Sequence, residues 1–150
     1  MLRSKLSTDE RGSASLEFVT AGMILLLPLV YLVLTMAAIQ AGALAVEGAA
    51  RQAARVFVQG DNLGDAQAKA LRAVEFALAD HGLTLAAASV SISCQPTPAN
   101  CLRRQGFVTV DVAVTVALPL VPPVLTGDFP LAVPLTATAT QQVSRFWGSG

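Results

Sequence analysis

The sequence predicts an α+β protein with one long N-terminal transmembrane helix, a second short helix and a small three-stranded antiparallel sheet. Three observations predict it. Between Glu17 and Glu47 lie 29 residues, Phe18 to Val46, without a charged side chain. From Asp65 to Leu78 the apolar residues recur with a helical period between two clusters of breakers. After Gly82 the period drops to two, which is the signature of strands buried on one face.

The composition agrees and removes several classes of function. Of 150 residues 53% are hydrophobic and only 13% charged, where a soluble domain carries about a quarter, and the mean hydropathy is +0.58. Ten basic residues balance ten acidic ones, so the clustered basic face of a nucleic-acid binder is absent. Two cysteines and one histidine are too few for a four-ligand zinc site, and no glycine-rich spacing cradles a phosphate. No cofactor or metal is expected. Nor is an enzyme, because no nucleophile, base and oxyanion donors converge.

The first helix comes from the charge-free run. At about 1.5 Å per residue it extends roughly 44 Å, whereas a bilayer core needs only about 20 residues. Arg3, Lys5 and Arg11 outnumber Asp9 and Glu10 before it, which favours a cytoplasmic N-terminus; Arg51 and Arg55 beyond it oppose that bias. Ala-x-Ala triplets at Ala41-Gly42-Ala43 and Ala43-Leu44-Ala45 also admit a secretory signal, although a signal's apolar region is only about 7–15 residues long. Pro28 should kink or loosen the spanning portion. Ala37, Ala41, Ala45, Ala49 and Ala53 recur every four residues, flanked by Ala38, Gly42, Ala50 and Ala54, and such a small-residue strip permits close helix approach. Glu47, Arg51 and Arg55 form a separate charged stripe, so the helix should emerge into water near Glu47. It should end near Gly60, in Gly60-Asp61-Asn62-Leu63-Gly64.

The second helix is expected to take Asp65 as its N-cap, to bury Leu71, Val74, Ala77 and Leu78, and to stop at Gly82. His81 falls at its C-terminal end, where a structural role with the last carbonyls is expected. Val90, Ile92 and Cys94 then alternate with serines, and Val108, Val110, Val112, Val114 and Val116 alternate with Phe107, Thr109, Asp111, Ala113 and Thr115. The segment between them holds Pro96, Pro98 and Asn100 and is bounded by Cys94 and Cys101, which predicts a disulfide clamping a hairpin in an oxidising compartment. From Leu118 to Pro134 five prolines stand among Leu, Val and Phe, predicting an ordered apolar loop or contact surface in place of helix or central strand. Leu135 to Val143 alternates again as a third strand. Arg145-Phe146-Trp147 reads as a packing contact before an interfacial anchor.

Glu17, at the lip of the apolar helix, asks for a partner: an acidic side chain at the centre of a membrane helix costs about 2.5–3.5 kcal/mol, and less near the end. Arg11-Gly12-Ser13-Ala14-Ser15-Leu16-Glu17-Phe18 followed by a long apolar helix resembles the processing site of class IVb prepilins, and is most similar to the TadE-like minor pilins and pseudopilins of bacterial Tad (Flp) pilus systems. The resemblance extends from Arg11 to about Val58 and is only architectural beyond. It implies cleavage after Gly12 by a prepilin peptidase on the cytoplasmic side, with Ser13 as the new N-terminus. It also implies that Glu17, at the fifth mature position with Phe18 after it, meets the free amine of a neighbouring subunit. Ser13 stands where type IVa pilins often carry an aromatic residue or methionine.

The expected organisation is a cytoplasmic leader at 1–12, a long helix at 13–60 that spans the membrane in its first half, and an extracytoplasmic α+β head at 61–150. The implied function is that of a pilin-like minor subunit of a pilus or related secretion apparatus. Its implied partners are the membrane, the peptidase, a major Flp-type pilin and other minor pilins in a hetero-oligomeric assembly. The alternative is an anchored or secreted binding module that uses the proline-rich apolar loop as its contact surface.

Overall fold

The computed structural model describes residues 13–120 and 131–148. The elements follow in the order α1 (Ser13–Phe57), α2 (Leu63–Ala79), a short 3-10 turn (Leu85–Ala87), β1 (Ala88–Gln95), β2 (Phe107–Ala117) and β3 (Ala132–Gln142). This is the α+β arrangement read from the sequence. Two units divide the chain between Met36 and Ala37. That division falls inside α1.

The first unit contributes the apolar part of α1. The helix runs through Pro28 without interruption. Its side chains are solvent-exposed from Leu16 to Leu34, among them Phe18, Ile24, Leu25 and Leu27. The mean hydropathy of its most apolar window reaches 2.4, with none of that window buried, so this helix is long and apolar enough to cross a membrane.

In the second unit α1 changes role. Gly42, Ala45, Val46, Ala49, Ala50, Ala53, Ala54 and Phe57 are buried, spaced three and four apart on one helix face. All of these but Gly42 join Ala66, Ala70, Val74 and Leu78 of α2, the inward valines of β2, and Cys94, Leu102 and Val143 in one apolar cluster. No polar or charged side chain is buried among the described residues.

The helix α2 departs from the expected reading in two places. Its N-cap is Asn62, whose Oδ1 accepts from the Asp65 backbone N–H at 3.0 Å, and Asp65 sits one turn inside. Asp65 in turn accepts from the Asp61 N–H at 3.1 Å, a reciprocal arrangement akin to a capping box. Lys69 Nζ lies 2.6 Å from the Asp65 carboxylate; that hydrogen bond, and then the Asp61 N–H, hold the carboxyl below the usual carboxylate range. The buried face carries Ala66 and Ala70 where Leu71 was expected; Leu71 is exposed. Small side chains let two helices approach closely, and the face of α1 inside this cluster is itself mostly alanine. Gly82 ends the helix at φ +71° while Leu83 N–H returns to the Leu78 carbonyl at 2.9 Å.

Gly60 allows the turn between the helices to close. A Cβ there would meet the Ala66 Cα and Cβ at 2.6 Å and the Ala66 N at 2.8 Å. The obstacle is mainly backbone, which cannot rotate aside. Gly60→Ala is expected to lower the urea unfolding midpoint by the equivalent of about 1–3 kcal/mol; an unchanged midpoint would show that the turn yields freely.

The sheet has the order β1-β2-β3, antiparallel throughout. Its register places Ser91 opposite Asp111 and Asp111 opposite Thr138, with Val90, Val112 and Ala137 aligned on the inward side. Val108, Val110, Val112, Val114 and Val116 are all buried, as the alternation requires. The third strand begins at Ala132, three residues before the expected start, and includes Pro134. An edge strand accepts a proline because half its N–H groups face away from the ladder. The backbone of Gln105 (φ 60°) and of Leu120 (φ 59°) lies in the left-handed region, which costs a non-glycine residue about 1–2 kcal/mol.

Candidate functional site

The residues singled out by the sequence separate into three groups. Gly12, with Arg11 and the rest of the leader, lies outside the described residues, as do Pro122, Pro123 and Pro130 of the apolar loop. Ser13 is the first residue of α1. Glu17 and Phe18 lie one turn further along, both exposed, and Phe18 is 80% accessible. Leu16, Thr20, Ala21 and Ile24 surround the Glu17 carboxylate along the helix, so its surroundings are almost wholly apolar. No hydrogen bond or ion pair reaches Glu17 from any other described residue. An unpaired carboxylate on an apolar surface is inexpensive in water and costly in lipid, which makes its partner a matter of environment and assembly.

The alanine strip forms the second group, and it is divided. Ala37 is exposed and Ala41 half-buried, while Ala45, Ala49 and Ala53 are buried within the chain's own head. The last three therefore pack within this chain. Gly42, beside the strip, makes the closest approach: a Cβ there would meet Val116 Cγ2 at 2.6 Å and Leu135 Cδ1 at 2.9 Å. The signal for Gly42 was present in the small-residue pattern, but which element it would meet was not. Glu47 and Arg51 pair on the outward side of α1, with Arg55 also exposed.

The third group lies at the far end of the strands. Cys94 and Cys101 are joined in a disulfide with a Cα–Cα separation of 5.1 Å. It closes the turn between β1 and β2, where Arg103 also donates to Thr97 Oγ1 at 3.1 Å. Trp147 is half-buried at that end, its Nε1–H donating to the Gly60 carbonyl at 3.0 Å, and Arg104 donates to the Trp147 carbonyl at 2.9 Å. Packing thus accounts for the tryptophan. Phe146 remains exposed with the Arg145 guanidinium 4.6 Å from its ring centre. His81 is exposed and only its backbone N–H is engaged, with the Leu78 carbonyl.

The outward sheet face carries a polar cluster that the sequence reading did not assemble. Asp111, at its centre, accepts from Thr138 Oγ1 at 2.5 Å and from Ser91 Oγ at 3.4 Å, and Thr109 and Thr140 pair at 2.9 Å beside it. The four hydroxyls come from three strands, so only the register brings them together. These are cross-strand pairs of the kind that stabilise a sheet. Among the described residues no three His, Cys, Asp or Glu side chains are grouped to hold a metal ion.

Neither a protein-family model, nor a curated protein, nor a solved structure matches the chain.

Proposed function

We propose that the chain is a pilin-like minor subunit of a Tad (Flp) type pilus or related secretion apparatus, held in the membrane by the first part of α1 and processed by a prepilin peptidase after Gly12. One observation carries the reading: Glu17 is exposed one turn into α1, five residues after Gly12, on a helix that then runs 29 residues without charge. The leader faces the cytoplasm and the head the other side. The Cys94–Cys101 bond supports that placement, because such bonds persist outside the reducing cytosol.

The secretory alternative loses support from the fold. Both Ala-x-Ala triplets lie inside α1, and cleavage after Ala43 or Ala45 would remove Gly42 from its place against Val116 and Leu135.

The test is the N-terminal mass of the protein produced alongside a prepilin peptidase. A start at Ser13 is expected for the parent, and Gly12→Leu should retain the whole leader. A start at Leu44 or Val46 would instead establish secretion, an intact Met1 a simple anchor, and removal of the leader from both proteins would exclude Gly12 as the determinant.

A further inference from the structure

The end of the head that carries the disulfide also carries two arginines held in place without an acid to pair with. Arg103 Nη1 donates to Thr97 Oγ1 at 3.1 Å, and Arg104 Nε donates to the Trp147 carbonyl at 2.9 Å. Both acceptors are neutral, and neither guanidinium forms an ion pair with any described residue. A free surface arginine moves among many rotamers, and ordering it costs about 2 kcal/mol. Here one N–H of each fork does the holding, and the other donors remain for a partner.

The acceptors are themselves fixed. Thr97 lies in the turn closed by the Cys94–Cys101 bond, and Trp147 is anchored through its Nε1–H to the Gly60 carbonyl at 3.0 Å. Asn100, Leu102, Arg103, Arg104, Trp147 and Gly148 line one pocket of about 350 Å³, with no carboxylate among them. That volume is at the small end of the range for small-molecule sites. Trp147 is half-buried, so part of it stays open to a ligand. Arg145 adds a third positive charge close by in the chain, above the Phe146 ring. Asp61 borders a separate hollow that also reaches Trp147, and there Lys69 lies 3.9 Å from its carboxylate.

We infer that this pocket binds a uronic acid unit of an acidic polysaccharide, with Arg103 and Arg104 on the carboxylate and Trp147 against the sugar ring. A planar guanidinium matches a carboxylate through two parallel N–H···O bonds. An anchored indole offers an apolar body to the C–H face of a sugar. The Asn100 amide both donates and accepts, as sugar hydroxyls require. Because the arginines and the tryptophan are ordered before the ligand arrives, little further side-chain entropy is lost on binding. A nucleic acid is the poorer fit: its phosphates draw on a broad basic face, and here ten basic residues are balanced by ten acidic ones. The inference goes beyond the proposed function and uses no residue of the leader or of the apolar part of α1.

Trp147 is the sole tryptophan, so its emission and its indole N–H resonance report on the pocket directly. The full chain in a polyoxyethylene detergent is titrated at constant ionic strength with trigalacturonate, its trimethyl ester, sodium phosphate and an oligothymidylate. Trigalacturonate should shift both signals saturably. The ester keeps the rings and loses the charge, and should bind at least about tenfold more weakly, the equivalent of one charge-assisted hydrogen bond. Arg103→Gln leaves the bond between Arg104 and Trp147 in place; it should weaken trigalacturonate by about tenfold while the ligand-free signals stay as in the parent. Arg103→Lys should weaken it too, because the charge is kept and the planar fork is lost. The absence of a saturable shift, equal binding of acid and ester by the parent, or undiminished binding by Arg103→Gln would overturn the inference. Phosphate or oligothymidylate binding as tightly as trigalacturonate would reveal plain attraction of anions and would likewise overturn it.

Discussion

Phe57→Ala is expected to destabilise the head by about 3–5 kcal/mol. Phe57 is wholly buried and heads the largest such side chains among the described residues, near the end of α1, in the cluster shared with α2 and the sheet. Truncation leaves a cavity in a cluster made mostly of alanines and valines, whose short side chains can fill little of it. For a unit spanning Ala37–Gly150, the loss corresponds to a fall in unfolding temperature of roughly 12–20 °C. The measurement is thermal unfolding of the full chain in detergent, followed by near-ultraviolet circular dichroism. Phe18→Ala is the control: its ring is 80% exposed in the first unit, and the same transition should not move. A shift below about 4 °C for Phe57→Ala would mean that the last turns of α1 are not part of the head's cooperative core, and the division of the chain inside the helix would lose its physical basis.

Glu17→Ala is expected to abolish incorporation into pilin assemblies while leaving membrane insertion and head folding unchanged. The carboxylate has no partner among the described residues, and its neighbours along α1 are almost all apolar. In lipid such a charge is tolerable when paired, and under the function proposed above an amine on an adjacent subunit would supply the pairing. Removing one member of a desolvated pair costs about 2–5 kcal/mol, which is roughly thirtyfold or more in affinity. Co-purification with pilin partners from detergent extracts reads the effect. Glu17→Gln separates charge from hydrogen bonding, because the amide keeps the size of the side chain and loses its charge; it should fail nearly as badly as alanine. Normal co-purification of both variants would remove the paired-charge role, whatever the N-terminal mass of the protein proves to be.

The parts of the fold that were legible share a property: they depend on short-range pattern. A charge-free run of 29 residues reads as one apolar helix, and in the structure that helix is long and apolar enough to cross a membrane. Valine at every second position from Val108 to Val116 leaves β2 one buried face, and serine at every second position from Ser89 to Ser93 does the same for β1. The disulfide was legible because two cysteines seven residues apart flank a proline-rich turn. At the N-terminus of α2 the same local reasoning allowed two answers. Asn62 and Asp65 are both good caps, and the structure uses them together, the first as cap and the second one turn inside.

Other features depended on what each surface meets across the fold. The burial of Ala66 and Ala70 in place of Leu71 could not be read locally, since hydrophobicity favours leucine while close approach to an alanine-lined helix favours alanine. Pro134 argued against a strand until β3 proved to be at the sheet edge, where a missing N–H costs no ladder bond. The gathering of Ser91, Asp111 and Thr138 likewise follows from register alone.

Chemistry along the chain was sufficient to establish that α1 is long and apolar enough to cross a bilayer, that a helix and three strands follow it, and that Glu17 carries a charge in apolar surroundings. Tertiary packing decided where the head begins. Up to Met36 the helix has no core to join, and from Gly42 onward its alanine face is closed by α2 and the sheet. The reason is that a strip of small residues is equally suited to a neighbouring helix and to the chain's own, and the strip from Ala37 to Ala53 repeats alanine every four residues both before and after Gly42. Only the presence of a complementary surface within reach, with Val116 and Leu135 against Gly42, determines which part is covered.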